Sequence, residues 1–139
     1  AFEGDGAFIV HALPSDGGTG RNVILEKGLD LVDFGFLTLR QFVSKACELP
    51  ARALALPEKG HLGVGADADV IVVDRGARRV ELTVANGQVI QIDGVVVGTG
   101  ATVLTTSDGA PRLSDQGIAT RVVDVTQGYL YTKGRAAAA

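Results

Sequence analysis

Between Pro57 and Asp74 the chain changes its period. Upstream, apolar residues recur at helical spacing. Downstream, Val70-Ile71-Val72-Val73 is an unbroken apolar run closed by Asp74. The joining stretch is Lys59-Gly60-His61-Leu62-Gly63-Val64-Gly65-Ala66-Asp67-Ala68-Asp69. A pattern of period 3.6 does not serve as a strand, nor one of period 2 as a helix, so this seam orders the fold: helices first, then sheet. Its glycines let the backbone turn tightly, and Asp67 and Asp69 are placed to cap the turn by bonding backbone N–H groups. A phosphate-binding loop is excluded, because these glycines neither follow a strand nor open a helix, and Gly18-Thr19-Gly20 fails the same test.

Before the seam, Ala7 to Leu13 is a short apolar run ending at Pro14, which predicts a buried strand of the parallel type. Residues 19 to 37 show no clear period, and glycines at 20, 28 and 35 predict a long irregular connection. Thr38 opens the clearest helix. Thr38 and Gln41 match a capping box, Leu37 and Phe42 a hydrophobic staple, and Leu39, Phe42, Val43 and Ala46 share one face. Arg40, Gln41, Ser44, Lys45 and Glu48 are expected to face water. Pro50 ends this helix and opens a second short one through Leu56, with Pro57 closing it.

After the seam, Asp69 to Asp74 reads as a strand and Val80 to Ile92 as a hairpin. A two-residue turn at Asn86-Gly87 would set Leu82 opposite Gln91 and mix the faces. A three-residue loop, Ala85-Asn86-Gly87, pairs Leu82 with Ile90 and Val80 with Ile92, and is preferred. Asp93-Gly94 turns the chain into Val95 to Val97, Ala101 to Thr106 is a further strand before the Ser107-Asp108-Gly109 turn, and Arg121 to Val125 is the last. The expected fold is α+β, mainly β: a small β-sandwich or open barrel preceded by one or two helices, with no TIM barrel.

Composition bounds the function. Apolar residues are 46% and charged residues 21% of 139, which is a globular balance, and the length is far below the ~250 residues of a TIM barrel. A net charge of -3 supplies no basic field for nucleic acid, and Arg75, Arg78 and Arg79 read as a solvated turn. Cys47 stands alone, which rules out an internal disulfide or a cysteine zinc cluster, and reads as core filler on a helix. No run reaches the ~20 apolar residues of a membrane span and no leader pattern opens the chain, so the expectation is a cytoplasmic protein without membrane or nucleic-acid partners. The absence of methionine and the start at Ala1 read as a removed initiator or a piece of a longer product. The closing Gly134-Arg135 and four alanines read as a tail outside the fold.

Asp16 is the best candidate for chemistry, since a carboxylate at the C-terminal end of a parallel strand, followed by two glycines, stands where such folds build active sites. The competing account is an Asx-type turn. His11, five residues earlier on the same strand, points to the opposite side and reads as a packed strand residue. His61 reads as a surface turn residue. No base lies near Cys47, and the two carboxylates Asp67 and Asp69 read as turn caps.

Ser15-Asp16-Gly17, Pro50-Ala51-Arg52-Ala53-Leu54-Ala55-Leu56, the glycine-and-aspartate seam and the strand pair at Asn86-Gly87, in this order and spacing, resemble the last part of a metal-dependent amidohydrolase, over roughly Phe8 to Gly94. The resemblance is nearer to N-acyl-D-amino-acid deacylases and imidazolonepropionase-like members than to urease. It implies residues 1–57 as the remnant of a barrel end, 58–128 as a β-sandwich-like domain beside the barrel and 129–139 as a tail. It also implies Asp16 as metal ligand and general base in hydrolysis of amide or other C–N bonds of a small molecule. The family's His-x-His pair and later histidines have no counterpart in His11 and His61. A divalent metal, zinc first, is therefore implied only if a barrel is supplied from elsewhere, and the chain alone is expected to be inactive. The alternative is a non-catalytic β-rich module that self-associates or pairs with a companion chain.

Overall fold

The computed structural model describes residues 11–14, 23–99, 102–129 and 131–132. The strand expected over Ala7 to Leu13 lies largely outside these residues, and the first described element is a helix, α1 (Val23–Asp33), where an irregular connection was expected. Gly28, read as a breaker, is a packing notch: a Cβ there would lie 2.0 Å from the Phe42 ring. Leu29 beside it is buried with Leu37 and Phe42, and Ile24, Leu25, Leu31 and Val32 pack around them. Burial against Phe42 thus outweighs the helix cost of one glycine, about 1 kcal/mol.

The next helix, α2 (Leu39–Val43), begins as expected. The Thr38 hydroxyl accepts from the Gln41 N–H and the Gln41 side chain accepts from the Thr38 N–H at 2.8 Å, while Leu37 and Phe42 close the staple. Its faces depart from expectation. Leu39 and Val43, ahead of the turn, are exposed, and Lys45 is buried within a π turn over Ser44–Glu48, in which the Leu49 N–H bonds to the Ser44 carbonyl. One wide turn rotates the face that follows it. The same turn lets the chain run on into α3 (Leu49–Ala53) without a break at Pro50, which falls in the first turn of α3 where no N–H is required.

Four strands make an antiparallel meander: β1 (Val70–Asp74), β2 (Arg79–Ala85), β3 (Gln88–Ile92) and β4 (Val95–Val96), in that spatial order. The β2–β3 hairpin has the two-residue turn, Ala85 opposite Gln88, with Asn86 and Gly87 both left-handed at φ 50 and 76. This corrects the three-residue loop. The mixing of faces is avoided instead by an extra residue, Ile90, in β3, which sets Leu82 opposite Ile92 and Thr83 opposite Gln91. The Ile90 carbonyl is used by the N–H groups of Val97 and Gly98 at 2.8 and 3.2 Å.

Beyond the meander, β5 (Val103–Thr105) and β6 (Thr120–Val122) pair in parallel, joined through α4 (Ala110–Ser114). The last strand is shorter than expected because Val125–Gln127 is a 3-10 turn capped by Asp124. The fold is α+β, mainly β, with helices preceding the sheets.

Every buried apolar residue described, namely Leu29, Leu37, Phe42, Ala51 and Leu56, belongs to the helical part. The register shows what the sheet does with its own apolar residues. Val70, Val84 and Val89 form one cross-strand row, and Val72, Leu82, Ile92 and Val95 the next, all on one face. Val72, Val89, Ile92 and Val95 are 44, 42, 46 and 62% exposed. The opposite face is mixed: Thr83 and Gln91, bonded at 3.0 Å, lie in one row with the exposed Ile71 and Val96, and beside it Leu25 of α1 lines a groove with Val80 and Gln91.

Candidate functional site

Asp16, the candidate metal ligand and base, lies outside the described residues. His11 is exposed, in a segment with no strand assigned over residues 11–14, and its ring lies 6.4 Å from that of Tyr129. The packed strand residue expected at 11 is therefore not found. His61 is a surface turn residue, as expected: Nδ1 accepts from the Gly63 N–H at 3.0 Å, which leaves the proton on Nε2, 2.8 Å from the Pro57 carbonyl. Both ring nitrogens hold the turn together. Cys47 is exposed rather than core filler, because the π turn moves it off the buried face. Partial burial of its thiol still raises its pKa, which keeps it protonated and a poor nucleophile.

The acids that the sequence sets at the seam are neutralised. Lys59 Nζ lies 2.9 Å from Asp67 and 2.5 Å from Asp69, while Arg121 reaches Asp67 at 2.9 Å and Glu58 at 2.5 Å. The second oxygen of Asp69 accepts from the Asn86 N–H at 2.8 Å, which fixes the β2–β3 turn to the start of β1. The Asp-Ala-Asp spacing flags two members of this group, whereas Arg121, 54 residues from Asp67, carries no sequence signal. A second cluster adds to the reading of the arginine turn, in which Arg75 and Arg79 are exposed as expected. Arg78 pairs with both Asp30 and Asp33 of α1, and Arg75 with Asp33 at 2.8 Å. The turn between β1 and β2 is thus tied to the first helix.

These pairs set the charge states. Hydrogen bonds from Lys59 hold Asp67 and Asp69 below the ordinary 3.8, with the Arg121 bond to Asp67 and the Asn86 N–H to Asp69 adding to this. Bonds to Asp69 and Asp67 hold Lys59 above the ordinary 10.5. Asp30 and Asp33 are lowered by Arg78 and Arg75 respectively. A carboxylate with a depressed folded pKa stabilises fully above its unfolded value and loses that contribution as pH falls through the folded one. A raised lysine stabilises fully below its unfolded value and loses its contribution as pH rises through the folded one. Thermal melts across pH should therefore give a plateau between about pH 5 and 10 with a fall on each side. A midpoint that keeps rising as the buffer is acidified below pH 4 would contradict the pairing.

A carboxylate whose pKa is held below its ordinary value is a weak proton acceptor near neutral pH, so Asp67 and Asp69 are poorly matched to general-base work. Among the described residues no three His, Cys, Asp or Glu side chains are placed to hold a metal ion. The donor chemistry agrees: the seam carboxylates are taken by Lys59 and Arg121, and the His61 nitrogens by their own turn. The described residues do not fit a catalytic metal by themselves.

Comparison with known proteins places this arrangement. A dihydroorotase from Syntrophus aciditrophicus (strain SB) is 44% identical over 62 residues, which are 45% of this chain and 14% of that protein. The crystal structure of the beta-aspartyl dipeptidase of the thermophilic keratin-degrading Fervidobacterium islandicum AW-1, in complex with a beta-Asp-Leu dipeptide, is similar with a TM-score of 0.51 at 24% identity. That likeness covers 72% of this chain and 24% of the dipeptidase chain, and is one of fold. The chain thus spans less than a quarter of the length of either protein. A model of the amidohydrolase family matches residues 5–109, through the helices, the seam and the meander. The chain belongs to the amidohydrolase family.

Proposed function

We propose that this chain is a non-catalytic, β-rich module of the amidohydrolase family that works by pairing with a second protein layer, either another copy or a companion chain bearing the barrel. The observation that carries the reading is the seven-residue apolar face of the meander, with Val72, Val89, Ile92 and Val95 each more than two-fifths exposed. A sheet face of this composition is stable when it packs on another layer about 10 Å away. The outer edge of β1 adds to this, since an edge strand reading Val-Ile-Val-Val invites pairing.

Within this reading the chain corresponds to the C-terminal part of a longer enzyme, with residues 1–57 from the end of a barrel, 58–128 as its β domain and 129–139 as a tail. Asp16 is then the one member of a divalent-metal site, zinc first, that the chain contributes. The other ligands come from the barrel. The completed enzyme hydrolyses amide or other C–N bonds of a small molecule in the cytoplasm. Its subgroup on the sequence pattern is that of N-acyl-D-amino-acid deacylases and imidazolonepropionase-like proteins. The similar proteins are a dihydroorotase and a beta-aspartyl dipeptidase, so the reading is held at the level of C–N bond hydrolysis.

The test is the state of the purified chain. Sedimentation across a concentration series should show species larger than the monomer, and Val72→Lys with Ile92→Lys should return the chain to monomer with its far-UV spectrum unchanged. Elemental analysis of the same sample should find less than stoichiometric zinc. A monodisperse monomer at ~100 μM that hydrolyses an amide with bound metal would overturn the proposal.

A further inference from the structure

We infer that residues 121–129, which lie beyond the part of the chain that the family pattern covers, form a strap that clamps the segment 11–14 to the C-terminal end of α3. The family match stops at residue 109. The chain after it folds back at three points, one on the seam and two at the end of α3.

The first is Arg121, whose fork joins Glu58 and Asp67. The second is Gly128, buried against the end of α3: a Cβ at that position would lie 2.1 Å from the Ala53 carbonyl oxygen, an approach no other residue type allows. The Asp124 cap aims the backbone there, since its carboxylate accepts from the Thr126 N–H at 3.0 Å and the Thr126 hydroxyl at 2.6 Å. Beyond it, the Thr132 N–H and hydroxyl both bond to the Gly128 carbonyl, at 3.0 and 3.2 Å, and close a helical turn. The third point is Tyr129. Its ring carries the Arg52 guanidinium 4.9 Å from the centroid and meets the His11 ring at 6.4 Å, tilted by 48°.

One side chain therefore touches both the last turn of α3 and the segment 11–14. That segment has one described backbone bond to the helices, from the Leu13 N–H to the Lys45 carbonyl at 3.2 Å. The Leu13 side chain also packs against the Leu29, Leu37 and Phe42 cluster, so the segment is anchored at Leu13, while His11 at its other end is exposed. The Tyr129 ring beside His11, backed by Arg52, holds the end of the segment that Leu13 does not. Between the strap and α3 remains a cleft of about 440 Å³, lined by Arg52, Ala55, Leu56, Pro57, Gln127 and Tyr129. The strap rests on the α3 end at Gly128 and Tyr129 and leaves this gap between. The inference does not depend on the chain's activity or on its pairing partner.

The experiment is amide hydrogen exchange by NMR on the full chain, reading Leu13 against Phe42, whose N–H bonds to Thr38 inside the helical core. Tyr129→Ala should speed exchange at Leu13 by roughly tenfold and leave Phe42 unchanged, while Tyr129→Leu, which keeps apolar bulk but removes the aromatic face, should fall between the alanine form and the wild type. Arg52→Gln, a milder change, should speed Leu13 by about threefold and serves as the deciding variant if the alanine form does not fold. Unchanged exchange at Leu13 in the folded variants would overturn the strap. So would equal acceleration at Leu13 and Phe42, because that outcome marks general loosening.

Discussion

Phe42→Ala is expected to lower the unfolding free energy by about 3–5 kcal/mol, the range for removing a buried aromatic side chain. The upper half of that range applies for a structural reason. The buried apolar residues described are Leu29, Leu37, Phe42, Ala51 and Leu56, and Phe42 is the only aromatic among them. Its ring fills the notch left by Gly28 and packs with Leu29 and Leu37. Alanine would leave a cavity between α1 and α2 that the Thr38–Gln41 cap cannot close, because the cap fixes the start of α2 and not its depth. Native domains are stable by about 5–15 kcal/mol, so a loss of this size is a large part of the total. Urea titration followed by far-UV circular dichroism measures it. A loss under 1 kcal/mol would mean that α1 does not cover the ring.

Gly60→Ala comes next, at about 2–4 kcal/mol, for two reasons that act together. Gly60 is left-handed at φ +81, a conformation costing an L-residue about 1–2 kcal/mol. A Cβ there would also meet the Cys47 carbonyl oxygen at 2.5 Å and the Glu48 Cα at 2.9 Å. Those neighbours are backbone atoms of the π turn, so they cannot swing aside as a flexible side chain would. The substitution pushes the seam off the helices and strains the Lys59 pairs with Asp67 and Asp69. The contrast is Gly65→Ala, at φ +86 with open space around it, which should cost only the backbone part. Equal losses at the two sites in the same titration would show that the seam does not lie against Cys47.

The two glycines differ in how far they could be read beforehand. Gly60 sits in a cluster with Gly63 and Gly65 at a change of period, and a tight turn is the direct reading. Gly28 sits alone among Leu25, Leu29 and Leu31, and its use depends on a ring 14 positions later, so the same residue type suggested a loop. The hairpin is a case between these. Asn86-Gly87 marked where the chain turns, but the three-residue loop preferred to keep the faces unmixed was wrong, because the Ile90 bulge, a matter of pairing across strands, does that work behind a two-residue turn.

The sequence by itself determined the order of helices and sheet, the cap at Thr38, the staple of Leu37 and Phe42, the tight turn at Gly60 and the place of a hairpin turn at Asn86-Gly87, though not its length. Each of these is a bond or contact between residues within five positions of one another, where spacing alone fixes geometry. The tertiary structure decided the rest: that Lys45 turns inward while Leu39 and Val43 turn out, and that Arg78 reaches Asp33 across 45 residues and Arg121 reaches Glu58 across 63. It also decided that one apolar face of the sheet is left without a cover among the described residues. Those outcomes depend on which surfaces meet when the chain closes on itself, and no local period encodes that.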